Sequence, residues 1–593
     1  MKEQKVNWNL DHILSRSKFE PQREKLQKQL ATFKNNLKKL DPRMKTEVFA
    51  ALINESEQLN SELSRLYNMP ALSETVDQQD SEVKRMKELA KDLLIEVEDV
   101  SRNLSHWIKG KMVASLKILD DKNAVRLFSA VPGMQYQLTR SRSLAKHSLS
   151  EPEERIISRK DATGISVITD LRSVLETEQT FSFKPKGTKP RIIKTEAELR
   201  RYTFSPKASE REAAYKALLG TYKDNLQKYF LIYQAVVKDW NNEAKLRNYT
   251  SAISVRNTAN DIEDKTVETL VSVVEANTPL FHKFFKLKAK ALNQKKLRRF
   301  DIYAPTGSID KTIGYQDAVK SVLAVFDSFN SSFHAKARQI IDEKHIDSHP
   351  SPVKQSGAFC ATVSPEITPY VMLNFSGRFR DVSTLAHELG HGIHSVYANK
   401  QSYSTQSAPL PLAETASTLA EMILFEHELE ELPKTDQAKL LFEKLSDIYA
   451  TVIRQVYFLK FELEAHNAIT EGTTPEGLSD IYYKNLQTQF GNAVQLSAEF
   501  RYEWAYIPHF VHTPFYVYAY AFGELLALAL YSLYKQTGKP FVSKIETILA
   551  AGGSQNPKQL LKDAGFDISS PKFWNSGFEI VSRYLSILTG MVD

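Results

Sequence analysis

The first glycine in this chain is residue 110. From about residue 11 to 119 the sequence is rich in Leu, Lys, Glu and Gln at helical spacing, as in FEPQREKLQKQLATFKNNLKKL. Residues of good helix propensity in that periodicity predict several long helices. Breaks are expected at Asp41-Pro42 and near Met69-Pro70, because a proline biases the residue before it away from helical dihedrals. The heptads are not sustained, so the charges read as a solvated helical face rather than as a coiled coil.

Further along, TFSFKPKGTKPRII at 180–193 has alternating aromatics, a Gly-containing turn and β-branched residues, the pattern of a hairpin. Helical periodicity returns over 195–296 and again over about 315–345. The character changes at 351–380, where SPVKQSGAFCATVSPEITPYVMLNFSGRF is short of charge and carries two β-prone runs, GAFCATV and YVMLNF, which predict a small sheet. From Asp381 onward the pattern is helical, with an apolar, aromatic-rich part at 504–534. No internal repeat stands out, which argues against a solenoid.

Composition narrows the function. A chain of 593 residues exceeds the size of one core, so two or more packed lobes are expected. Hydrophobic residues at 42% supply ample core, and a net charge of +7, with both signs interleaved, does not indicate a nucleic-acid partner. The single cysteine, Cys360, excludes an intramolecular disulfide and a cysteine-based zinc site. The N-terminal stretch lacks the apolar core of a signal peptide, and the longest apolar run, LLALALYSLY at 525–534, is too short to span a bilayer. A cytoplasmic location without membrane attachment is the expectation.

The chemistry is carried by DVSTLAHELGHGIHSVYANK, where His387, Glu388 and His391 form HExxH. On a helix the two histidines are one turn apart and differ by about 40° in direction, so their rings can converge on one ion. Glu388 points about 60° to the side of His391, where it can reach the attacking water without being a ligand. Chance alone would place HExxH in only about a few per cent of chains of this size. Zinc needs a third protein ligand. The continuation HxxGxxH of a metzincin fails here, because its Gly position is His394 and its last His position is Tyr397. His394 lies about 10 Å along the helix from His387, too far to share one ion, and is expected to pack or to support the site. The next helix supplies a carboxylate: in PLPLAETASTLAEMILFEHELEEL, Pro409 and Pro411 mark a helix start and Glu414 falls in its first turns. Glu421, two turns along on the same face, reads either as a carboxylate orienting a ligand imidazole or as a surface ion pair.

These residues resemble the thimet-type oligopeptidases, and within them the oligoendopeptidase F branch. The likeness rests on HELGH with a following IH, on PLAETAS, on the upstream SGAF strand, on IPHFVHTPFYVYAYAFGE, and on NWNLDHIL near the N-terminus. It implies a mainly α, two-lobed metallopeptidase with a deep central channel and a small sheet beside the zinc-binding helix. It implies an N-terminal helical lobe at 1–120 fencing that channel, a helical segment with a hairpin at 121–200, and a catalytic zinc peptidase domain at 201–593. It matches His387, His391 and Glu414 to the ligands of one zinc per chain and Glu388 to the catalytic carboxylate. It also places a His and Tyr cluster over the scissile bond. The matching stretch offers His509, His512, Tyr516, Tyr518 and Tyr520, with His509 first and Tyr516 and Tyr520 after it. Neutral imidazole or phenol donors of this kind can hold a developing oxyanion.

The expected reaction is endoproteolysis of short, unstructured oligopeptides. A carboxypeptidase of similar build stays open as an alternative. It would need a cation for the substrate's C-terminus, for which Arg378 and Arg501 are near in sequence. A non-catalytic peptide-binding relative is the third possibility. The sequence leaves the oligomeric state open.

Overall fold

The computed structural model describes residues 5–113, 116–309 and 311–592. The fold is mainly α, and the described chain groups into two compact units. The first is formed by Met1–Lys146, Asp310–Glu430 and Leu533–Asp567, the second by His147–Ile309, Glu431–Ser532 and Ile568–Asp593.

In the first unit the glycine-free stretch folds into three long helices, Phe19–Leu37, Thr46–Val76 and Ser81–Ile108. Their apolar stripes close one core: Leu26, Phe33, Phe49, Leu66, Leu93 and Trp107 are all buried in it. The expected break at Asp41-Pro42 falls in the loop between the first two helices. The break near Met69-Pro70 does not occur, because Thr46–Val76 runs straight through Pro70. An interior proline costs a helix about 3 kcal/mol. Leu66, Met69, Pro70 and Leu72 are all buried there, and a buried apolar side chain contributes roughly 1.5–3 kcal/mol, so the core outweighs the local penalty. The chain turns instead at 77–80, where the Asp80 carboxylate accepts from the N–H groups of Glu82 and Val83 and starts the next helix.

The expected sheet at 351–380 is present. Phe359–Ala361 pairs antiparallel with Tyr370–Met372, Cys360 facing Val371. A third strand, Ile346–Asp347, adds parallel to the far side of Tyr370–Met372, which leaves Phe359–Ala361 at an edge. Val363, Ile367, Tyr370 and Met372 join the core of the three long helices. The sheet is therefore braced from behind by the N-terminal part of the chain. The Phe379–Ala398 helix packs against this sheet and against Tyr315–Phe329, Ser331–Asp342 and Val542–Ala551. Its start is fixed by Asp381, whose carboxylate accepts from Ser376 N at 2.8 Å, Ser376 Oγ at 2.7 Å and Arg378 N at 3.1 Å.

In the second unit the hairpin expected at 180–193 forms between Phe181–Phe183 and Arg191–Ile193. The helices Asp264–Ala291 and Pro571–Val592 pack together, as do Arg454–Thr470 and Pro475–Phe490. Aromatic residues dominate this core, with Tyr233, Phe461, Tyr482, Trp504 and Phe510 buried side by side. Leu297–Arg298 and Val494–Gln495 form a short parallel pair. Among the described residues no helix is long and apolar enough to cross a membrane.

Candidate metal centre

The HExxH residues lie in the middle of the Phe379–Ala398 helix, and the third candidate comes from the segment that follows it. Pro409 starts a one-turn helix, Leu410–Ala413. Glu414 then sits at the junction with the long Thr415–Glu431 helix, and its carbonyl accepts from Thr418 N at 3.0 Å, the first bond of that helix. Ser417 Oγ donates to Glu414 Oε2 at 2.9 Å and holds the carboxylate in place.

The three donor atoms converge. His387 Nε2 and His391 Nε2 are 3.1 Å apart, and Glu414 Oε2 lies 3.5 Å from the first and 3.3 Å from the second. Ligands about 2.0–2.1 Å from a tetrahedral ion are separated by about 3.3–3.4 Å, so this triangle has the size of one face of a zinc site. His387 Nδ1 is hydrogen-bonded to Glu421 Oε1. That bond puts the ring proton on Nδ1 and turns the Nε2 lone pair toward the other two donors, the role a supporting carboxylate has at metal sites. Of the two readings of Glu421, the structure thus selects the one that orients an imidazole.

The local field also suits a cation. Burial works to raise the Glu414 pKa, but hydrogen bonding and charge from His391 and charge from His387 outweigh it and bring it to about 2. Burial alone would lower the His387 pKa, yet its hydrogen bond to Glu421 and the surrounding carboxylates lift it to about 9. Glu388 is buried, and burial raises its pKa above the usual glutamate value. It lines a cavity of about 410 Å³ together with Phe359, Cys360, His387, His391 and Glu414. His394 is buried on the same helix and stands outside the donor triangle.

The close spacing of the two donor-bearing segments depends on Gly390. A Cβ there would lie 2.5 Å from Ser417 Cα and 2.7 Å from Ala416 O, both backbone atoms that cannot yield without moving the helix. At Gly392 the nearest atom would be the tip of the Ile340 side chain, which can rotate. Gly390→Ala is therefore expected to cost about 1–3 kcal/mol of stability and to displace Glu414, with Gly392→Ala milder. Thermal unfolding and metal retention of the two variants check this. An unchanged melting temperature in Gly390→Ala would contradict it.

The C-terminal candidates lie in the second unit, where three of them form a group. His509 Nε2 and Tyr520 Oη are 3.4 Å apart with the rings edge to face, and Tyr516 stands edge to face with Tyr520 at 5.1 Å. All three are half-buried, whereas His512 is exposed and Tyr518 is buried with its hydroxyl accepting from Asn260. The loop that carries Tyr516 is clamped from two sides. Phe515, at φ +56°, donates its N–H to Glu462 Oε1 at 2.8 Å, and Arg256 Nε donates to Pro514 O at 3.0 Å. Glu462 is buried, and burial lifts its pKa to about 8. Sequence reasoning missed both clamps, because neither stands near the loop in the chain.

The model of Peptidase family M3 matches residues 201–580, more than half of the chain and the span that includes every residue of the donor triangle. This chain belongs to peptidase family M3. Similar proteins include the oligoendopeptidase F homolog of Lactococcus lactis subsp. lactis (strain IL1403), 32% identical over 388 residues, 65% of this chain and 64% of that protein. The oligopeptidase PepF of Bacillus subtilis (strain 168) is 29% identical over 432 residues, 72% of this chain and 64% of that protein. The matched span is thus about 64% of the length of these two relatives. Among solved structures, a protein from Chlamydophila abortus superposes with a TM-score of 0.88 at 23% identity over 99% of this chain and 98% of its own, so the two share one fold over nearly their whole lengths.

Proposed function

We propose that the chain is a zinc-dependent endopeptidase of oligopeptides, with His387, His391 and Glu414 as the ligands of one zinc and Glu388 as the general base. The observation that carries this is the donor triangle of 3.1, 3.3 and 3.5 Å with a buried glutamate beside it in the same cavity. The relatives' names, which speak of oligoendopeptidases and oligopeptidases, support the substrate class.

Zinc, when bound, supplies a Lewis acid that polarises a scissile carbonyl and lowers the pKa of a water to about 7. Glu388 takes the proton of the attacking water and delivers it to the amide nitrogen as the C–N bond breaks, so the leaving peptide departs as an amine. The raised pKa of Glu388 suits both halves of that transfer. Glu421 keeps the His387 ring in its ligating tautomer. His509, Tyr516 and Tyr520 are assigned, on the family pattern, to hydrogen bonding of the developing oxyanion. The free edge of Phe359–Ala361 borders the cavity, where main-chain pairing with an extended substrate would bind it with little side-chain selectivity.

The carboxypeptidase reading is the weaker one, because among the described residues neither arginine it would use lines the cavity of the donor triangle. Mass spectrometry of a mixed peptide library after digestion separates the two. Internal cleavage yielding paired fragments is expected. Stepwise loss of single C-terminal residues would overturn the endopeptidase assignment.

A further inference from the structure

A second group of metal-type donors stands apart from the HExxH centre. His12, Glu343 and His345 each offer one ligand atom, and the three atoms lie within 4.8 Å of one another. His12 Nδ1 and His345 Nε2 are 2.8 Å apart, and Glu343 Oε2 is 3.9 Å from His345 Nε2. From this arrangement we infer that His12, Glu343 and His345 form a second transition-metal site that staples the N-terminal segment to the sheet.

His345 is the anchor of the site. It is 1% exposed, its ring is stacked on Tyr370 at 4.0 Å, and its Nδ1–H donates to Thr368 O at 2.8 Å. The backbone carbonyl fixes the tautomer, so a buried lone pair on Nε2 is aimed at His12 and Glu343, the same support that Glu421 gives His387. Glu343 is oriented too: Gln339 Nε2 donates to its Oε1 at 3.0 Å, which leaves Oε2 on the histidine side. Its side chain is 38% exposed, so it can close on His345 from 3.9 Å, while the exposed His12 ring backs off from 2.8 Å, to reach the ligand spacing of about 3.3–3.4 Å at zinc. Two imidazoles and one carboxylate select zinc, cobalt or nickel over calcium or magnesium.

Without metal the two imidazoles are linked by a hydrogen bond. Asn9 Oδ1 accepts from Asp11 N, so its amide nitrogen faces His12 Nε2 at 3.1 Å, and His12 then donates from Nδ1 to His345 Nε2. A metal ion takes the place of that shared proton, His12 carries its hydrogen on Nε2 instead, and the Asn9 amide turns to accept it. The gain lies in what is joined. His12 and His345 are 333 positions apart, and the segment around His12 is also held by Asn9 N to Lys344 O at 2.8 Å, by Tyr370 Oη to Asn9 O at 2.8 Å and by the buried Trp8 and Ile13. A cross-link closing so long a loop adds a further restraint to a segment already packed through Trp8 and Ile13. Its far end sits at the start of the Ile346–Asp347 strand, in the sheet whose opposite edge borders the HExxH cavity.

The test is zinc stoichiometry of the full-length protein, stripped with chelator and dialysed against buffered zinc, read by elemental mass spectrometry. The wild type should hold two ions per chain. His12→Ala and Glu343→Gln, both at exposed or half-exposed positions, should each hold one, with the second binding event weakened at least about tenfold. Glu414→Ala should keep the His12 site while losing the other, so failure of one assignment is distinguishable from failure of the other. Circular dichroism and thermal unfolding confirm that the variants are folded. One ion per chain in the wild type, or wild-type stoichiometry in either variant of this site, would overturn the inference and leave His12 and His345 as a hydrogen-bonded pair beside Glu343.

Discussion

Glu388→Gln is expected to retain zinc and to lose peptide hydrolysis by about two to four orders of magnitude, the usual contribution of a positioned general base. The substitution keeps the shape of a buried side chain that makes no part of the donor triangle, so the ligand set survives. What it removes is the only atom in the scheme that can carry a proton from water to the leaving nitrogen. A loss in kcat with KM little changed would mark an interaction made in the transition state rather than in substrate binding. Near-normal turnover in a zinc-loaded Glu388→Gln would contradict the role, and metal analysis of the same sample separates loss of the base from loss of the ion.

Glu414→Ala should act on the metal instead. It removes one corner of a triangle whose other two corners are imidazoles 3.1 Å apart, and it leaves Ser417 Oγ without its carboxylate partner. Two protein ligands hold zinc far less well than three, and even outer partners of a ligand change affinity by about 10–100-fold, so the direct loss should exceed that range. Dialysis against a zinc buffer followed by metal analysis reads the outcome. Glu421→Ala provides the graded comparison, since it takes away the bond to His387 Nδ1 but none of the three donors. A smaller loss of affinity is expected there. Full zinc occupancy of this centre in Glu414→Ala would move the third ligand elsewhere.

What could be read in the sequence followed the range of the interactions involved. Helices announced themselves through periodicity, and HExxH is a five-residue pattern whose geometry follows from one helical turn. Pro70 misled because a local backbone rule lost to a core assembled from distant residues. The strands Ile346–Asp347, Leu297–Arg298 and Val494–Gln495 are two residues long, too short to show alternation, and the last two pair across nearly two hundred positions. At the site, spacing pointed to Glu414, but nothing local could say whether Glu421 faces His387 or solvent. That depends on how closely two helices approach, and the approach is set by Gly390 against Ala416 and Ser417. Glu462 was equally hidden, since the N–H it holds belongs to Phe515, fifty-three positions away.

The central claim, a zinc-dependent peptidase built on His387, His391 and Glu414, is tested most directly by metal reconstitution. Wild-type protein stripped with chelator is assayed on a quenched fluorogenic oligopeptide, then assayed again as zinc is added back. The account predicts negligible cleavage by the stripped protein and recovery as zinc fills the HExxH centre, with Glu414→Ala unrestored at the same free zinc concentration. Equal cleavage with and without metal, or full recovery in Glu414→Ala, would contradict it.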